Sequence, residues 1–322
     1  MSKILITGGA GFIGSNLARI LASKGHAVTA FDNLSLGREN NLDSSVKFVQ
    51  GDVNSPADLE ELDTDFEYIV HLAASSSAPM FLDDLHYAFQ NNICGHIRVM
   101  EFAQKIGAKK FLFASTSSIY GNNPTPLTED QSVIPPNYYS VTKYAQEGVS
   151  RSFSNLNGLE IIAFRFMSIY GLHEDHKGNF ANLVSQFIWM MRRGENPTLY
   201  GDGTQERDFT NVKDVCQGIE KAILNEKKYG FTVFNIGTAT AINLIDLVAL
   251  INKVMRTNVA PKCIPNPVRE GYVKTQLASL DKIKTELGYA PTISLEDGVA
   301  EIVENLEKRG DDKADFVKKN LG

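Results

Sequence analysis

Three glycines near the start of the chain restrict its fold more than any other feature. Gly8, Gly11 and Gly14 stand three apart in "TGGAGFIG". They follow the short apolar run "KILIT" (3–7) and precede Ile13, Leu17, Ile20 and Leu21, which are apolar at helical spacing over 12–24. A continuous apolar run of this length is how a buried parallel strand reads. Glycines between such a strand and a helix allow a tight turn, and they let backbone N–H groups approach a pyrophosphate at the helix N-terminus. Phe12 and Ile13 sit on the same turn. A second strand, Ala27–Phe31, ends at Asp32, 18 residues after Gly14. A carboxylate there accepts the ribose hydroxyls of an adenosine and repels a 2′-phosphate, so NAD is expected rather than NADP. "QGDV" (50–53) closes a third strand, and Asp52 and Val53 are expected beside the adenine.

The alternation continues. Strands are predicted at 46–49, 68–74, 109–115 and 159–166, with helices at 56–62, about 86–106 and about 138–157. Strands alternating with helices imply an α/β protein, a Rossmann-type doubly wound parallel sheet covered on both faces. After residue 166 the alternation loosens into "RRGENPTLYGDGTQ" (192–205) and "PKCIPNPVREG" (261–271), with helices near 180–192, 212–226, 243–255 and 295–308. The division expected is a nucleotide-binding domain over 1–166 and a smaller substrate-binding lobe over 167–322. Some of the latter, about 212–237, is expected to return to the large domain. The tail "EKRGDDKADFVKKNLG" reads as solvated.

Acidic residues outnumber basic ones, 38 to 32, for a formal charge of −6, and no cluster of five Lys/Arg occurs. Nucleic acid and anionic membrane are therefore poor partners. No run approaches the ~18 apolar residues of a membrane helix, and the N-terminus lacks a signal-peptide pattern. Cys94, Cys216 and Cys263 are few and scattered, so neither a disulfide framework nor a zinc site is indicated. A soluble cytoplasmic protein is the expectation.

"PNYYSVTKYAQEG" (136–148) puts Lys143 four residues after Tyr139 and five after Tyr138. On a helix, i and i+4 share a face. Spacing alone leaves open whether this is an ordinary helix surface or a phenol held beside an ammonium for proton transfer.

The ordered motifs "TGGAGFIG", "DNLSLG" (32–37), "GDV" (51–53), "HLAA" (71–74), "STSSIYG" (115–121), "YSVTK" (139–143), "RFMSIYG" (165–171), "GDGTQERDFTNVKDV" (201–215) and "REGYVKTQLASLDKI" (269–283) run over nearly the whole chain. Together they resemble the extended short-chain dehydrogenase/reductase family, in its nucleotide-sugar epimerase/dehydratase branch. The resemblance implies that Tyr139 is the acid/base, Lys143 its partner and Thr116 the third member of a catalytic triad. It adds Asn33, Leu72, Ala73 and Ala74 to the NAD site, with Tyr139 and Lys143. A phenol has a pKa near 10, and the ammonium and an oxidised nicotinamide are expected to lower it.

The resemblance also bears on the reaction. The family's 4,6-dehydratases carry an Asp-Glu pair where this chain has Ser117 and Ser118, and its decarboxylases carry a glutamate at the second position. What remains is 4-epimerisation of a UDP-sugar (glucose/galactose type, N-acetylated or uronic) through a transient 4-keto sugar. The alternative is a nucleotide-sugar reductase of the same fold. Arg207 and Arg269 are implied at the diphosphate, and Ser75, Ser76, Thr116, Ser117, Ser168 and Gln276 around the sugar. No metal is expected; "HEDH" (173–176) reads as a solvated loop that can line the sugar pocket. His71 reads as a satisfied core histidine, and Phe81, Tyr87 and Phe89 as packing. A homodimer is implied through helices 86–106 and 138–157, where Ile93, Ile97, Met100 and Val149 fit either a dimer face or packing on the sheet.

Overall fold

The computed structural model describes residues 1–266 and 272–310. Six strands, β1 (Lys3–Thr7), β2 (Ala27–Asp32), β3 (Lys47–Gln50), β4 (Tyr68–His71), β5 (Lys110–Thr116) and β6 (Ile161–Phe166), join a late strand, Phe231–Ile236, in one sheet. From one edge the order is Phe231–Ile236, β6, β5, β4, β1, β2, β3. Every neighbouring pair is parallel. The architecture is the doubly wound α/β sheet that the sequence predicts.

The helices covering the first part are α1 (Phe12–Ser23), α2 (Pro56–Glu60), α3 (Met80–Asp83), α4 (Leu85–Phe89), α5 (His96–Lys105) and α6 (Tyr138–Asn157). Both faces of the sheet are buried, which is why β1 is apolar without alternation. Ile4 and Ile6 point to one layer, with Leu17 and Leu21 of α1. Leu5 points to the other, with Phe31, Ile69, Phe111 and the α5 residues Val99 and Met100. Each such side chain taken fully out of water contributes roughly 1.5–3 kcal/mol. Met100 is fully buried, and Ile97 and Val149 pack on the same layer. These three positions therefore serve the core.

The helix predicted over 86–106 is interrupted. Between α4 and α5 the chain makes a π-helical turn, Gln90–Gly95, and the extra residue turns Asn91 and Asn92 inward. Asn92 brackets Ser75, accepting from its N–H at 2.8 Å and donating to its carbonyl at 3.1 Å. A π turn of this kind tends to mark a functional segment.

Helices Leu183–Arg192, Leu244–Met255 and Leu295–Lys308 enclose a separate apolar cluster containing Phe187, Ile188, Leu247, Ile251 and Ile302. By contrast, helix Val212–Leu224 sends Val215, Ile219 and Ile223 into the layer over β1. A short helix that the sequence reading did not anticipate, Asp281–Leu287, packs Ile283 and Leu287 there too. Among the described residues no helix is long and apolar enough to cross a membrane. The solvated-tail expectation falls largely outside the described residues, since they end at 310.

Candidate active site

The strand order reverses at β1, with β2 and β3 on one side and β4 to β6 on the other. A crevice at the carboxyl ends of the strands is expected at such a point. A cleft of about 560 Å³ lies there, lined by residues at the ends of β1, β2, β4 and β5, by Met167 to Ile169, by Glu174, His176, Lys177 and Phe180 to Asn182, and by Arg207 and Gln276.

The glycine turn closes one end of it. Gly8 has φ +68°, and a Cβ there would lie 2.6 Å from the Ala73 nitrogen. At Gly14 a Cβ would come within 2.2 Å of the Gly8 oxygen. Neither position tolerates a side chain. Gly11 stands just before α1, no side chain caps the helix's first N–H groups, and Gly11, Phe12, Ile13 and Gly14 all line the cleft. Free helix N–H groups suit a phosphate, so the turn fits the diphosphate of a dinucleotide.

Asp32 terminates β2 at the cleft and is only 8% exposed. Its carboxylate accepts from Leu34 N–H at 2.8 Å and Ala10 N–H at 3.1 Å. Burial raises its pKa, and these backbone donors oppose the rise. Asn33, Val53, Leu72, Ala73 and Ala74 also line the cleft, whereas Asp52 is not part of its wall. Asp52 accepts from the Asn33 amide at 3.0 Å and from Asn54 N–H at 2.7 Å.

Helix α6 carries the Tyr/Lys pair. Asn137 caps it in a reciprocal box with Ser140, at 2.9 and 3.1 Å, and left-handed Gly158 ends it. Tyr138 is 53% exposed and meets Phe89 edge-on, while Tyr139 and Lys143 line the cleft. Lys143 is 3% exposed and donates to the Ala114 carbonyl at 2.9 Å. Burial pushes its ammonium down to about 7. The Tyr139 phenol hydrogen-bonds the Thr116 side chain, and its ring lies 6.0 Å from that of Phe81. The expected lowering of the phenol by Lys143 is not found: burial raises Tyr139, and the Thr116 side chain opposes the rise. Thr116 ends β5 and accepts from Ser118 N–H at 3.1 Å.

Beneath Lys143 lie two buried imidazoles, His71 and His96, 5.2 Å apart between ring centres. His71 Nδ1 lies 2.7 Å from the Thr7 hydroxyl, but its Nε2 has no partner among the described residues. It is half satisfied, not satisfied. Burial pushes it down to about 3.

On the sugar side, Ser168 donates to the Gln276 carbonyl oxygen at 3.1 Å and the Gln276 amide donates to Ser117 at 3.2 Å. The chain brings these three residues, Ser76 and Arg207 to the cleft wall, whereas Ser75 is buried behind it. Arg207 is anchored by the carbonyls of Glu206 at 2.7 Å and Val273 at 2.8 Å. Arg269 lies outside the described residues.

The segment 172–182 differs most from its sequence reading. "HEDH" was expected to be solvated, yet Glu174 is 1% exposed. It accepts from Asn182 N–H and the Ser185 hydroxyl, each at 2.7 Å. His176, Lys177, Phe180 and Asn182 line the cleft. Of these four, sequence reasoning placed His176 alone at a pocket, within "HEDH" and on the sugar side, and left Lys177, Phe180 and Asn182 unassigned. The one available signal was Asn182 standing as a cap before the apolar helix Leu183–Arg192.

The sequence model of the NAD dependent epimerase/dehydratase family matches residues 4–237. The chain belongs to that family. A family relative, the UDP-glucose 4-epimerase of Mycolicibacterium smegmatis, is 32% identical over 94% of this chain and 97% of its own. The solved structure of UDP-glucose 4-epimerase with UDP-glucose from Thermotoga maritima is 33% identical. It matches with a TM-score of 0.90, covering 96% of this chain and 100% of that one. The UDP-glucuronic acid 4-epimerase from Bacillus cereus, in complex with UDP-glucuronic acid and NAD, is 29% identical. Its TM-score is 0.86, over 95% of this chain and 99% of that one.

Proposed function

We propose that this family member is a UDP-sugar 4-epimerase working with retained NAD. The observation that carries the reading is the convergence of Thr116, Tyr139 and Lys143 at one cleft, with hydroxyls rather than carboxylates at positions 117 and 118. One acid/base is enough to invert a carbinol centre; eliminating water needs a further acid and base. The relatives named above, active on UDP-glucose and UDP-glucuronate, support the same reading.

The NAD site comprises Gly8 to Gly14, Asp32, Asn33, Val53 and Leu72 to Ala74, with Asp52 holding Asn33. NAD⁺ supplies reversible two-electron oxidation of the sugar C4, which lets its configuration be lost and rebuilt. Tyr139 takes the proton of the 4-hydroxyl and returns it after the keto sugar has turned over. Thr116 steadies the phenol and the reacting oxygen. Lys143 supplies positive charge that favours the phenolate whenever it is protonated. Arg207, with Arg269, meets the diphosphate; Ser76, Ser117, Ser168 and Gln276 meet the sugar. The lobe 167–322, less about 212–237, is the sugar-nucleotide part.

The same reading makes the protein a cytoplasmic homodimer of carbohydrate metabolism. Val141 and Tyr144 stay 41% and 45% exposed on α6 and offer the apolar surface that such a contact needs.

Proton NMR of the purified protein with UDP-glucose, UDP-N-acetylglucosamine and UDP-glucuronate, in separate tubes, tests the function. Conversion of an anomeric signal to that of its C4 epimer supports it and names the sugar. Silence in all three tubes, with and without added NAD⁺, overturns it. Stoichiometric consumption of coenzyme would identify a reductase.

A further inference from the structure

Between Leu172 and Lys177 the chain reaches across the cleft to helix α1 and to Asn41. Asn16, buried on α1, donates to the Leu172 carbonyl at 2.9 Å. One residue on, His173 takes φ +67°, a left-handed conformation that a side chain adopts only under local compulsion. Its ring is thereby laid on α1. Arg19 Nη2 lies 3.1 Å from His173 Nδ1 and 3.2 Å from Nε2, and the Ser15 hydroxyl lies 3.3 Å from Nδ1. The segment then crosses the mouth of the cleft. His176 Nδ1 comes within 3.4 Å of the Asn41 amide, and Lys177 places its ammonium 5.4 Å from the centre of the Phe12 ring. Buried Glu174 braces the crossing from behind, reaching Lys177 at 3.3 Å.

We propose that residues 172–182 are a clasp that locks the dinucleotide into its cleft, with His173 and Arg19 as its fastening. The proposal rests on the NAD reading above. A dinucleotide lying on Gly11 to Gly14 has the glycine turn beneath it and His176 and Lys177 over it, since all of these line one cleft. To leave, it must lift the segment off α1 and break the Arg19, Asn16 and Asn41 contacts together. An epimerase needs such retention, because coenzyme lost between oxidation and its reversal leaves a stranded keto sugar. The ammonium of Lys177 also puts a positive charge beside the first turn of α1, where a diphosphate is held. Coenzyme exchange, in this scheme, is governed by a contact between the two lobes that touches neither coenzyme nor substrate.

The test measures NAD release from the purified holoprotein by trapping freed NAD with an excess of alcohol dehydrogenase and ethanol and following absorbance. Two variants loosen the fastening: Arg19→Ala removes the donor, and His173→Gly removes the ring while keeping a residue suited to the backbone angle. Release should quicken roughly tenfold in each, as the loss of one or two hydrogen bonds implies. Turnover at saturating NAD⁺ and the KM for the sugar nucleotide should stay within twofold of the parent. Release unchanged in both variants, with the fold verified by circular dichroism, overturns the clasp. Parent protein that carries no NAD and takes up none overturns the dinucleotide reading itself, which is a separate result.

Discussion

Arg165 grips Glu147 with two parallel hydrogen bonds, Nε to Oε1 at 3.0 Å and Nη2 to Oε2 at 2.8 Å, and both side chains are at most 5% exposed. Glu147 lies one helical turn beyond Lys143, which lies one turn beyond Tyr139, so the ion pair secures the face of α6 that carries the acid/base residues. The remaining Arg165 nitrogen donates to the Tyr120 hydroxyl at 2.9 Å and to the Glu129 carbonyl at 3.2 Å. This leaves the buried guanidinium well supplied with acceptors.

Removing one partner of such a pair leaves a buried charge uncompensated. Glu147→Ala should lower stability by about 3–5 kcal/mol, read from the denaturant midpoint. The double variant Arg165→Met/Glu147→Leu should lose less than Glu147→Ala alone. A double variant at least as unstable as the single one would mean that the pair's geometry, rather than its charge balance, holds the helix.

Tyr139→Phe removes the phenol and nothing else. We expect kcat for epimerisation to fall roughly 10²- to 10⁴-fold, the usual contribution of a positioned acid/base, while the purified protein still carries NAD. Tyr138→Phe should leave kcat within twofold, because that ring is half-exposed and outside the cleft. Comparable losses in both variants would remove Tyr139 from its role.

Asp32→Asn keeps one acceptor oxygen, for either Leu34 or Ala10, turns the other into an amide donor and discards the negative charge. NAD affinity should drop roughly 10- to 100-fold, in line with the loss of hydrogen bonds to a charged acceptor. NADP, which the carboxylate repels in the parent, should become measurable as a ligand. Isothermal titration of both dinucleotides decides it.

Acid should destabilise the folded chain through buried His71 and half-buried His173 and His176. Burial pushes His173 and His176 down to about 4 and His71 to about 3. The unfolded chain takes up protons at these groups near pH 6.5, and the folded chain does not until about pH 4 at His173 and His176 and about pH 3 at His71. Their stabilising effect is therefore complete above pH 6.5 and is lost as the pH falls towards 4, at about 1.4 kcal/mol per pH unit for each group. Denaturant midpoints between pH 7 and 5 should fall more steeply for the parent than for His173→Gly. Equal slopes would show that His173 is protonated in the folded chain.

Much of the fold was legible because strand and helix signals here are local. The apolar run of β1, the glycines after it and the Asn137–Gly158 limits of α6 are written in adjacent residues. The π turn at Gln90–Gly95 was not legible, because nothing in a helical pattern announces one inserted residue; the Asn92 side chain that it turns inward meets Ser75, 17 positions away. Helix Asp281–Leu287 is too short for its period to show. In the cleft, the spacing of Tyr139 and Lys143 suggested a pair, yet which of two tyrosines faces inward depends on where α6 meets β5. The burial of His173 and Glu174 depends on α1 and on helix Leu183–Arg192, so composition around "HEDH" misleads. Charges and histidines in a row look solvated until a distant helix covers them.

The strand Phe231–Ile236 hydrogen-bonds β6 along its whole length, yet about 70 residues of chain separate the end of one from the end of the other. On the ribosome, at about 5–20 residues per second, β6 therefore waits roughly 4 to 14 seconds for its neighbour. For that interval an apolar strand carrying Ile161, Ile162, Phe164 and Phe166 presents an open edge, the kind that recruits other chains. The nascent protein is most exposed to aggregation just before its sheet is complete, and a truncation near residue 166 would make that transient condition permanent.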